Sequence, residues 1–81
     1  MNVNGIRDQV WASVIEGTAP LKFEFLGLQL LLTNLRQRLR MKEMSMPAAI
    51  GDLKNFFVKY SGLRAAQNDF NKIALFGGYH V

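Results

Sequence analysis

The sequence predicts an all-α protein, a compact bundle of three or four helices with one long central helix over about residues 19–44. Three observations carry that expectation. Apolar residues recur at three- and four-residue steps through most of the chain, the steps that place side chains on one helical face. Helix punctuation falls between these stretches, with Gly17, Thr18 and Pro20 at one break and Ser45 and Pro47 at the next. The intervening connections are only a few residues long, which favours antiparallel neighbours in a bundle.

The first helix is expected within "NVNGIRDQVWASVIEG", where Val3, Ile6, Val10 and Val14, flanked by Trp11 and Ile15, form a stripe. Asn4 is its candidate N-cap, Asp8 suits the positive end of its dipole, and Gly17 can close it.

The second helix is expected to open at "GTAPL", with Thr18 as cap and Pro20 in the first turn, where its missing N–H costs nothing. From there Leu21, Phe25, Leu28, Leu32, Leu35 and Leu39 keep the alternating four- and three-residue spacing of a heptad seam. Run to Met44, this helix would be about 39 Å long. "LKFEF" (residues 21–25) also alternates apolar and charged with period two, the pattern of a half-buried strand. That alternative explains the five residues but not the seam beyond Gly27.

A third helix follows Ser45 and Pro47, carried by Ile50, Leu53, Phe57 and Tyr60 and ending near Ser61-Gly62. A fourth is carried by Leu63, Ala66, Phe70 and Ile73 and stops at Gly77-Gly78, with Asn68-Asp69 as a possible interruption. Without a repeat or a linker to divide it, the chain reads as a single helical domain over residues 1–81.

Composition speaks to association. Ala, Val, Ile, Leu, Met, Phe and Trp, together with the glycines, fill roughly 56% of the chain, against about 45–50% in ordinary globular domains. A chain this short buries only about 60–65% of its unfolded surface, so surplus apolar side chains must be exposed or covered by another chain. Phe23, Leu26, Leu30 and Leu31 lie off the heptad seam and are the expected interface to a second copy, a dimer in the first instance, or to a protein partner. No membrane span is expected, because Lys22, Glu24 and Gln29 interrupt an apolar run already short of about 20 residues.

Charge leaves more open. The net charge is +4 and the isoelectric point about 9.9, a sign that suits acidic partners. Four cations crowd into "RQRLRMK": Arg36, Arg38, Arg40 and Lys42. They admit three readings: a solvated helix end matched to its dipole, a docking patch for an acidic protein surface, or phosphate contacts in a nucleic-acid binder. The aromatics Phe56, Phe57, Tyr60 and Phe70, interleaved with Lys54, Lys59, Arg64 and Lys72, belong to the last reading as base-stacking candidates. Phe57, Tyr60 and Phe70 lie on helical stripes, which assigns them to the core and leaves Phe56 as the exposed candidate.

Enzymatic chemistry has little support. The lone histidine, His80, is next to last in the chain, and no two of the six acidic residues stand three or four apart. With no cysteine there is neither a disulfide nor a thiolate site, and no glycine-rich phosphate loop is present. The expectation is a non-catalytic assembly or regulatory subunit without cofactor or metal. The alternative is a small basic nucleic-acid-binding protein. "MNVNGIRDQVWASVIEG" lacks the features of a secretory signal, so the expected location is cytoplasmic.

Overall fold

Val10, Trp11, Val14 and Ile15 are all buried on one face about 140° wide of helix α1 (Asp8–Glu16), and this shortest helix occupies the centre. In the computed structural model, residues 1–79 are described, and among them the secondary structure is entirely helical. A 3-10 turn at Val3–Gly5 precedes α1, and α2 (Leu26–Arg40), α3 (Met46–Lys59) and α4 (Arg64–Phe76) follow. Helix α1 packs against each of the other three, and α2 lies antiparallel to α3.

The expected central helix over 19–44 is therefore corrected: α2 runs for 15 residues, buries a single stripe of Leu28, Leu32 and Leu35, and flanks α1. Residues 17–20 turn the chain, and residues 21–25 run extended without regular secondary structure. There Leu21, Phe23 and Phe25 are half-buried against the core while Lys22 and Glu24 face solvent. In a helix, Phe23 would stand about 200° from Leu21, so the three could not share a face, whereas an extended chain puts all of them inward. The period-two pattern thus prevails over the seam in these five residues, without the pairing of a strand.

Helix ends follow local chemistry. Ser45 accepts a hydrogen bond from the Ala48 amide (3.4 Å) and Pro47 sits in the first turn, as their positions predict. Helix α1 starts later than its apolar stripe suggests: Asn4 falls in the 3-10 turn, and Arg7 stands at the N-cap with no side-chain cap. Three helices close with the same motif, in which the amide after a left-handed residue reaches back five residues: Thr18 to Ser13, Glu43 to Arg38 and Tyr79 to Ala74. The left-handed residues are Gly17 and Gly78 in α1 and α4, but Lys42 (φ 58°) after α2. Asn68-Asp69 does not interrupt α4.

Trp11 is the centre of the core. Its ring lies 5.8 Å from Phe57 and 6.2 Å from Phe70, joining α1 to α3 and α4, and its indole N–H donates to the Val3 carbonyl (3.3 Å). Phe25, Phe56 and Tyr60 form a second aromatic cluster between the start of α2 and the end of α3, with Phe25 and Phe56 5.7 Å apart and Phe56 and Tyr60 4.8 Å apart. Gly77 lets α4 approach α1, since a Cβ there would lie 3.1 Å from Val10 Cγ2.

The radius of gyration, 11.7 Å, equals the value of about 12 Å for a close-packed chain of this length. The exposed area, 5015 Å², is likewise close to the roughly 4,900 Å² of a compact monomer of this mass. One chain closes its own core, and the surplus apolar residues stand outside it.

Candidate functional site

Burial of Leu28, Leu32 and Leu35 toward α1 and α3 turns the opposite face of α2 to solvent. On that face Leu26 is 63% exposed, Leu30 62% and Met41, just past the helix end, 59%. Together with Gln37, whose amide nitrogen lies 3.9 Å from the Met41 sulfur, they follow steps of four, seven and four and form one outward stripe about 22 Å long. Of the four residues expected at an interface, Leu26 and Leu30 stand on this stripe. Phe23 and Leu31 are half-buried and pack against the core. Phe23 belongs to the extended segment, and its carbonyl accepts from Gln29 Nε2 (2.8 Å).

The basic cluster does not form one patch. Arg36 turns inward: its Nε donates to the Ile15 carbonyl (2.6 Å) and its Nη2 to the Val14 carbonyl (3.1 Å), capping the negative end of α1 from a neighbouring helix. Arg38 faces Asp52 of α3 at 3.8 Å, with both side chains well exposed. Arg40 and Lys42 are exposed, and among the described residues neither side chain has a hydrogen-bond or ion-pair partner. Phe56, the exposed base-stacking candidate, is half-buried between Phe25, Phe57 and Tyr60, so it is not an open platform.

The residue with the most organised surroundings was not anticipated as a site. Asp69 is fully buried in α4, and its carboxylate accepts from the amides of Glu24 (3.1 Å) and Phe25 (2.8 Å) immediately before α2. Lys72 closes the arrangement, with Nζ 3.7 Å from Asp69 Oδ1, 3.8 Å from Glu24 Oε1 and donating to the Lys22 carbonyl at 2.9 Å. A signal existed: Asp69 stands three residues after Ala66 and four before Ile73, a carboxylate on an apolar stripe. Met41 had none, because a helix carried on to Met44 hides the turn that exposes it.

Among the described residues no three His, Cys, Asp or Glu side chains come together as a metal site would need, and every buried side-chain nitrogen and oxygen has a hydrogen-bond partner. His80 lies outside the described residues. No helix among them is long and apolar enough to cross a membrane. Compared with known proteins, the chain matches no family model, no curated protein and no solved structure.

Proposed function

We infer that this protein is a small non-catalytic assembly subunit that pairs with a second copy of itself through the outer face of α2. The observation that carries the reading is the exposure of Leu26 and Leu30, one helical turn apart on the same outward stripe, in a chain whose core is closed without them. Two leucines one turn apart on one face offer an apolar surface that a second copy can cover.

Charge supplies the orientation. The C-terminal end of α2 carries the exposed cations Arg40 and Lys42, while the N-terminal half of its outer face carries no charged side chain. An antiparallel pair sets each basic end against the other copy's uncharged start, whereas a parallel pair stacks cation on cation. Antiparallel alignment is also what a two-fold axis across the stripe produces. Mass measurement over a range of concentrations tests the pairing, and Leu30→Glu tests the face.

The nucleic-acid reading is weaker on magnitude. Two exposed cations on this end of α2 give a salt-dependence slope of only about −1.4 to −1.8, against the six to ten contacts of an ordinary binder.

A further inference from the structure

The chain leaves α1 at Gly17 and crosses toward α2 in extended form, and between this crossing and α2 a cleft of about 390 Å³ remains open. Its volume falls at the small end of ligand-binding pockets. The half-buried Leu21 and Phe23 give it apolar surface, Val14 and Leu32 lie buried beneath, and Gln29 and Thr33 stand along the α2 side. Lys22 and Arg36 also line it, and no carboxylate does.

Arg36 is only partly neutralised there. Its Nε and Nη2 are committed to carbonyls of α1, but the end of a helix dipole offsets only about half an elementary charge. Nη1 has no protein partner among the described residues, which leaves the guanidinium a free donor. A second cleft of about 430 Å³ lies on the other side of Arg36, but there Glu16 and Arg40 line the same space and oppose each other in sign. The positive, carboxylate-free chamber is the first.

We propose that this cleft is a binding site for a small amphiphilic anion, an apolar body resting against Leu21 and Phe23 with a carboxylate-type headgroup held between the Arg36 guanidinium and Lys22. The site shares no residue with the Leu26–Leu30–Met41 stripe, so it stands independently of self-association.

The test titrates octanoate into the ¹⁵N-labelled full-length chain, with octan-1-ol and inorganic phosphate as comparators. Octanoate should shift the amides of Gly17 to Phe23 and of Gln29 to Arg36 and bind at least about tenfold more tightly than octanol, the worth of a charge-assisted hydrogen bond. Phosphate should not compete. Lys22→Glu, a change at an exposed side chain, should weaken octanoate by about tenfold or more without moving the thermal midpoint. Leu30→Glu should leave the titration unchanged. Equal binding of octanol and octanoate, an unaltered affinity in Lys22→Glu, shifts centred away from the cleft, or saturation by phosphate would each overturn the proposal.

Discussion

The carboxylate of Asp69 accepts the amide hydrogen of Phe25 at 2.8 Å across a separation of 44 residues, from a side chain with no exposure to solvent. With the second bond, from the Glu24 amide, it fixes where the extended segment ends and α2 begins. A carboxylate at the positive end of a helix is favourable in itself, and here the donor amides and the acceptor come from different elements, so α4 and α2 are held in register.

Asp69→Ala is expected to cost about 3–5 kcal/mol, because it removes both acceptors and leaves two amides without partners in a site closed to water. Asp69→Asn retains one oxygen and presents an amide N–H₂ to the other donor, for a loss of about 1.5–3 kcal/mol. Urea unfolding of the two variants checks the order as well as the size.

Arg36→Gln should destabilise the chain by about 1–3 kcal/mol, because the Ile15 carbonyl loses its charged donor and the Val14 carbonyl keeps only the Gly17 amide. Its binding to an arbitrary oligonucleotide should change in salt slope by less than the 0.7–0.9 of one phosphate contact, roughly. A full unit of change without loss of stability would show that Arg36 serves phosphate rather than α1.

Lys42→Gly should stabilise the chain. Relief of a left-handed backbone at a non-glycine residue gains about 1–2 kcal/mol, and the extra freedom of glycine in the unfolded chain takes back about 0.5–1. A net rise of about 0.5–1 kcal/mol in unfolding free energy is expected, read by chemical denaturation, with circular dichroism unaltered.

Leu32→Ala, in the middle of the buried stripe of α2, should cost about 2–5 kcal/mol, a large share of the stability of so small a domain. Leu26→Ala, on the exposed stripe, should stay within about 0.5 kcal/mol of the parent in the monomer. The contrast, measured at low protein concentration, separates the two faces of one helix.

How much of this was readable in advance depends on whether the deciding chemistry was local. Ser45 with Pro47, Gly17, Gly62 and Gly77-Gly78 act on their own backbone neighbours, so the bounds of α3 and α4 and the end of α1 follow from short stretches. The start of α2 does not, because residues 21–25 satisfy two periods at once and the choice rests on Asp69 in another helix. Its end was hidden by Lys42, a residue that carries no sign of the left-handed turn it makes. At the candidate site, Leu26 and Leu30 were visible as apolar residues off the seam. Phe23 and Leu31 share that property but are drawn against the core by the extended segment and by α3. Arg36 was legible as a cation but not as a cap, since its acceptors end a different helix.

Self-association through the outer stripe of α2 is tested most directly by the mass of the particle in solution. Sedimentation equilibrium on the unmodified chain and on Leu30→Glu, from about 1 μM to 1 mM, spans associations of roughly −8 to −4 kcal/mol. The prediction is a mass that rises with concentration to twice the 9.2 kDa of one chain, and a Leu30→Glu variant that keeps full helicity and stays at the single-chain mass throughout. An unmodified chain that remains at 9.2 kDa up to the highest concentration, or a Leu30→Glu variant that dimerises equally well, would contradict it.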